Sequence, residues 1–346
     1  MSQEAAGDAA LRRAESLRLL GRLDDAERTL REALAAAPQD AALLSELAWV
    51  LNLADRHAEG LPAAEAAIAV EPQVARNHQI RALLLSGLNR HEEAVQAAAV
   101  ASSLRPEEPT IARTCARVLS AAGRKHEAYE AARHAVTLDP QSSNAHLLVA
   151  DLADDIRDRR TARTAYEEAL RLDPQNALAR HDLAVLDINT GHPARGLRGL
   201  VEAGSLDPTM PIVLRTIAVV LWKLAWRLRI LFIPATIACV AASAGQVDEA
   251  TWPARIAAAV SLLAIGLLTW WTVRDLPAGT RQAVQAAMRG DGPLRVTYLG
   301  LATCVLLFLA VAVTGFGVFA GLVWLVLGLL AVLALAVGAL RRPRRP

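Results

Sequence analysis

The pattern of apolar positions divides the chain in two. Up to residue 210 they recur against a polar background with a period of 34 residues, and from residue 211 they fuse into long runs. In the periodic part alanine fills the eighth position of every unit, at Ala14, Ala48, Ala82, Ala116, Ala150 and Ala184. It also fills the twenty-seventh, at Ala33, Ala67, Ala101, Ala135, Ala169 and Ala203. Small residues in such fixed places mark close approach of helices, because a larger side chain would force them apart. Proline closes the period at Pro38, Pro72, Pro106, Pro140, Pro174 and Pro208, often after a leucine and an aspartate (Leu138-Asp139, Leu172-Asp173, Leu206-Asp207). There leucine packs and proline ends the helix. Within the unit a second break recurs at Gly21-Arg22, Asp55-Arg56, Asn89-Arg90, Gly123-Arg124 and Gly191-His192, residue types that accept a turn or left-handed backbone.

Aligned on the prolines, the units are 7–40, 41–74, 75–108, 109–142, 143–176 and 177–210. This pattern resembles the tetratricopeptide-repeat family over about 200 residues. The resemblance implies an all-α solenoid of about six helix-turn-helix units, each burying its apolar face only by stacking on its neighbours. Two features depart from the family pattern. Position 20 is glycine at Gly60 and Gly196, and the usually bulky position 24 is alanine at Ala64, Ala98 and Ala132, which predicts thin packing in the middle units.

In this family the concave face is lined by positions 2, 5, 9 and 12 of each first helix. Carried over, these positions place Trp49, Arg76, Gln79, Arg113, Arg117 and Asn144 on the groove, with a basic centre at Arg76, Arg113 and Arg117. Arg113 and Arg117 are one turn apart on a helix, a spacing suited to gripping a carboxylate or acidic segment; the alternative is that neighbouring acids pair with them. The basic clamp of chaperone-binding relatives is absent, its positions being filled by Leu11, Glu15 and Glu46. Asp151, Asp154, Asp155, His181 and Asp182 fall in stacked units but lack a recognised metal-ligand spacing, and a solvated acidic face is the simpler reading. No phosphate loop, nucleophile elbow or catalytic constellation occurs, so no cofactor is expected and an enzyme is not.

Charge and hydropathy sharpen the division. Residues 1–210 hold 24 Lys and Arg against 31 Asp and Glu, whereas residues 211–346 hold 13 against 4. A hydrophobic fraction of 53% is high for a soluble helical protein, and the excess lies in the last third. Residues 211–227 are expected to form a capping and juxtamembrane helix. Four transmembrane helices then follow over about 228–245, 255–273, 296–315 and 318–340. A cytoplasmic loop, 274–295, joins the second and third, and a basic tail, 341–346, ends the chain. No ionisable residue falls in the interior of the four runs, which favours an anchor over a conduit.

Arginine and lysine cluster before the first span, in the middle loop and in the tail, leaving Arg255 alone on the other side. That places both the repeats and the C-terminus in the cytoplasm. The N-terminal residues lack a signal-peptide pattern, in keeping with that orientation. The scarcity of lysine, at Lys125 and Lys223 only, and the abundance of alanine suggest a bacterial source, hence the inner membrane. The basic tail is expected to attract anionic lipid headgroups rather than nucleic acid. Gly317 and Gly321 form a small-xxx-small pair, expected to pack within the bundle, with a homo-oligomer contact as the alternative. Cys115, Cys239 and Cys304 read as buried structural thiols.

The expected function is a membrane-anchored scaffold whose cytoplasmic groove binds a protein or peptide partner of acidic character. A component of a membrane transport or export system is the alternative.

Overall fold

The computed structural model describes residues 3–207, 211–242, 252–273, 285, 288–315 and 318–340, and every described element is an α-helix. The chain forms two compact units, Met1–Pro174 and Gln175–Pro346.

The first unit holds five helix pairs: α1 (Gln3–Leu19) and α2 (Leu23–Ala36), α3 (Ala41–Leu53) and α4 (His57–Val70), α5 (Ala75–Gly87) and α6 (His91–Leu104), α7 (Pro109–Ala121) and α8 (Lys125–Leu138), α9 (Ser143–Asp155) and α10 (Arg159–Leu172). The periodic alanines sit where the helices touch. Ala14, Ala48, Ala82, Ala116 and Ala150 are wholly buried, as are Ala67, Ala101, Ala135 and Ala169, while Ala33 is half-buried at the N-terminal end. Ala64, Ala98 and Ala132 are buried as well, so the middle of the solenoid packs alanine where bulk is usual.

Each second helix ends two residues before its proline, with one capping residue between them. The N–H at that position, in Glu71, Arg105 or Asp139, bonds back to the carbonyl of the alanine at position 27, and proline then lacks the N–H to continue. First helices are capped from the turn by Asp40 and Ser142, whose oxygens accept from backbone N–H groups two or three residues on.

The inner turn is left-handed in every pair: φ is +74° at Gly21, +56° at Asp55, +58° at Asn89, +76° at Gly123 and +66° at Arg157. The fifth turn therefore places an arginine in a conformation that costs an ordinary side chain about 1–2 kcal/mol. The arginine that follows the turn in the first four pairs reaches forward three residues along the second helix. Its Nε donates to Asp25 at 2.8 Å, Glu59 at 2.8 Å, Glu93 at 2.7 Å and Glu127 at 2.7 Å. In the fifth pair Asp158 takes that place and caps α10 through Thr161.

The second unit begins with the sixth helix pair, α11 (Ala177–Asn189) and α12 (Pro193–Leu206). Then come α13 (Pro211–Ala242), α14 (Trp252–Val273), α15 (Gly292–Thr314) and α16 (Val318–Leu340). Helix α13 is continuous over 32 residues, passing unbroken through the place where the sequence divides a cap from a first span. Its first half packs Val213, Ile217, Val220 and Leu221 against Leu197, Leu200 and Ala203 of the sixth pair. Its second half packs Ala225, Phe232 and Cys239 into a different core with Cys304, Phe308, Val311 and Val323. One helix thus closes the repeats and opens the bundle.

Within that bundle the Phe232 and Phe308 rings lie 5.7 Å apart, and Leu330 lies against Gly300, where a side chain on the glycine would collide with it. Gly321 faces open space and Gly317 lies outside the described residues. Close helix approach in the bundle therefore occurs at Gly300. Gly315 ends α15 with φ +79°.

Of the four expected spans, two helices are long and apolar enough to cross a membrane, Ile212–Ala241 and Gly292–Thr314. The described apolar stretches of the other two, Trp252–Leu267 and Val318–Leu333, are shorter. Most of loop 274–295 and the tail 341–346 lie outside the described residues.

Candidate binding surface

The residues expected on the groove divide by what already holds them. Glu46, on α3, is 1% exposed and is gripped from both sides: Arg18 Nε donates to Oε1 at 2.5 Å and Arg76 Nη2 to Oε2 at 2.6 Å. A single carboxylate thus ties the first helices of three successive pairs together. Arg76 is exposed, yet its charge is largely spent on Glu46. Gln79 is committed too, donating to Thr114 Oγ1 at 2.8 Å and to the Thr110 carbonyl at 3.1 Å. Trp49 is half-buried against the cluster that contains Ala48, Leu61, Ile80 and Leu84, so most of its ring serves the core. Asn144 is exposed at the start of α9.

Arg113 and Arg117 differ from these. Arg113 is half-buried and Arg117 exposed, and among the described residues neither has a hydrogen bond or an ion pair. Ion pairs hold a number of other charges of this unit, including Arg56 with Glu27 at 2.5 Å and Lys125 with Asp155 at 3.4 Å. Two adjacent guanidinium groups without an acid between them form an anion-attracting patch.

The acidic residues considered for a metal have other partners: Asp151 accepts from the Tyr166 hydroxyl at 2.7 Å, and His181 Nδ1 meets Asp182 at 2.8 Å while Nε2 meets Thr216 at 3.0 Å. Among the described residues no three His, Cys, Asp or Glu side chains gather as a metal would require. Cys115 is half-buried, its Sγ 3.3 Å from the Ala98 carbonyl, and burial pushes its thiol pKa up.

Sequence reasoning places Arg76 and Gln79 on the groove but misses the groups that hold them. The signal is present for one: Glu46 is an acid at position 6, with Arg18 and Arg76 at groove positions of the units on either side.

Stacked helix pairs of fixed length define an α-solenoid. Residues 143–176 match the tetratricopeptide-repeat family model, and the chain carries tetratricopeptide repeats. Such repeats typically form non-catalytic scaffolds that mediate protein–protein interactions.

Two solved structures share the fold. Pseudomonas aeruginosa PilF is 22% identical, over 60% of this chain and 95% of its own, with a TM-score of 0.51. The Cut9–Hcn1 hetero-tetramer of APC/C is 13% identical over 60% of this chain and 41% of its own, with a TM-score of 0.54. A thermophilic repeat protein of Thermus thermophilus, 20% identical over 53% of this chain and 99% of its own, scores 0.49. No curated protein matches the sequence.

Proposed function

We propose that the protein is a membrane-anchored scaffold that captures an acidic segment of a partner protein through Arg113 and Arg117. The observation that carries the binding half is that these two arginines, one turn apart, stand without acidic partners, whereas the other arginines expected on the groove, Arg18 and Arg76, are both paired with Glu46. A peptide carboxylate would supply the missing counter-charges by bidentate hydrogen bonds.

The anchoring half rests on an inverted surface. From α13 onward the bundle buries alanine, cysteine and phenylalanine while Ile237, Leu263, Leu306, Leu325, Leu329 and Val332 face outward. An apolar exterior of that extent supports a bilayer as its surroundings. Its height fits a bilayer. Arg255 donates to the Thr314 carbonyl at one end of α15 and Arg229 to Thr297 near the other. The stretch between Thr297 and Thr314 measures about 25 Å, close to the ~30 Å of a bilayer core. By the distribution of arginines, the repeats and the C-terminus face the cytoplasm of a bacterial cell.

Crosslinking in native membranes, followed by capture of the intact chain and of the Arg113→Ala/Arg117→Ala variant, tests the binding half. Loss of one defined protein from the variant supports it; the same protein held equally by both forms removes these residues from the site. Retention in the membrane after alkaline carbonate extraction tests the anchor. A transport role ranks second. Arg229 is a charge inside the bundle, but it donates to Thr297 rather than to an acid, and Asp291, the acid among the described residues of the bundle, accepts from Trp222 and the Leu294 N–H instead.

A further inference from the structure

We infer that the interface between α13 and α15 holds a phosphate group, and that Arg229 is its ligand. Arg229 is 6% exposed, beside a core built mainly from alanine, phenylalanine, cysteine, valine and leucine. A guanidinium carries five N–H donors and cannot shed its charge, so burial demands an anion or a full set of acceptors. The described residues supply neither: Arg229 Nη2 donates to Thr297 Oγ1 at 3.1 Å, and its buried Nε has no partner among them. Of the four acids from residue 211 onward, Asp291 alone is among the described residues. It is already engaged, Oδ1 accepting from the Leu294 N–H at 3.1 Å and Oδ2 from Trp222 Nε1 at 3.1 Å.

The surroundings indicate which anion. The α13–α15 contact is a short ladder of polar rungs, Trp222 to Asp291, the Tyr298 hydroxyl to the Leu221 carbonyl at 2.9 Å, and Arg229 to Thr297; beyond it Phe232 and Phe308 begin the apolar core. Among the described residues Arg229 is therefore the innermost charged group at the end of the bundle where exposed Lys223, Trp226, Arg227 and Arg295 also stand. Basic residues and tryptophan at one level are features of the headgroup region. Ile233, one turn along the same face of α13, is 39% exposed, so the guanidinium lies next to the rim of the bundle. A phosphodiester entering there would meet the free Nε while its acyl chains ran down the outer apolar face. This assignment to a lipid rests on the membrane reading above; the phosphate chemistry does not.

The full chain, purified in detergent, is examined by native mass spectrometry and thermal melting. Phosphatidylglycerol, phosphatidylcholine and inorganic phosphate are added separately, to the wild type, Arg229→Gln and Arg227→Gln. The expected result is that wild type and Arg227→Gln retain phosphatidylglycerol and melt higher with it, while Arg229→Gln binds it about tenfold more weakly, as loss of a charge-assisted contact implies. Arg229→Gln should also melt above the wild type when no lipid is present, because it relieves an unpaired buried charge. An equal rise with inorganic phosphate would keep the site and assign its ligand to solution. Undiminished phosphatidylglycerol binding by Arg229→Gln, or a lipid-free melting point below that of the wild type, overturns the proposal. Release of the chain by carbonate, with Arg229-dependent phosphate binding intact, would refute the membrane reading and leave the site standing.

Discussion

Replacing Glu46 with glutamine removes the one carboxylate that joins three helix pairs. Its side chain is 2% exposed, whereas those of Arg18 and Arg76 are 20% and 50% exposed. Removing one partner of a fully buried ion pair costs about 3–5 kcal/mol, because the other charge is left without compensation. Here both arginines keep some contact with water and glutamine retains one acceptor oxygen, which lowers the expected loss to about 2–3 kcal/mol. For a unit of this size that is a fall in Tm of about 5–10 °C, readable by circular dichroism at the helix band on the full chain in detergent.

Arg76→Gln leaves the Arg18 contact in place and changes only the half-exposed arm, so its cost should stay within about 1 kcal/mol. A Glu46→Gln protein melting within a degree of the wild type, or an Arg76→Gln protein as damaged as Glu46→Gln, would refute the view that Glu46 is the buried tie. The same variant frees two arginines toward the groove, so binding of an acidic peptide should rise several-fold even as stability drops.

Four further outcomes are expected. Arg157→Gly should raise stability by about 0.5–1 kcal/mol in thermal or denaturant unfolding, since it relieves the left-handed strain at φ +66° at some cost in unfolded-state entropy. Gly196→Ala should destabilise the protein by about 1–3 kcal/mol, because its Cβ would sit 2.5 Å from the Ala184 carbonyl oxygen; Gly60→Ala meets the movable Leu84 side chain instead and should be milder in the same melt. The Arg56, Arg90 and Arg124 guanidinium groups hold Glu59, Glu93 and Glu127 below their ordinary pKa of 4.5. The contribution of these clasps is therefore complete above pH 4.5 and lost as pH falls through the lowered folded values, and Glu→Gln at all three should flatten an acid titration of stability over that range. Cys115, with its thiol pKa raised by burial, should alkylate more slowly at pH 8 than a cysteine in a denatured control.

Much of the repeat architecture is legible in the sequence because it is written in small residues. Alanine at positions 8 and 27 and proline at position 32 act locally: one permits contact, the other ends a helix, and neither needs knowledge of the partner to be understood. The left-handed turns are visible in five of the six pairs through glycine, aspartate or asparagine, but not in the fifth pair, where Arg157 adopts the conformation.

Side-chain commitments on the groove are not legible. Position numbers bring Arg76, Gln79, Arg113 and Arg117 to one face as equals, yet Glu46 and Thr114, a unit away in sequence, take two of them and leave two. The membrane part follows the same logic. Hydropathy alone marks where apolar runs lie, and the four-span expectation rests on their lengths. That α13 is one helix serving two cores, and that Arg229 turns inward at the edge of one of them, depends on which helix face meets α15. What the chain encodes locally, through period, turn and run length, is determined by sequence. Which charges remain free is decided only in three dimensions, because charge pairing across stacked helices depends on distances between residues about 30 positions apart.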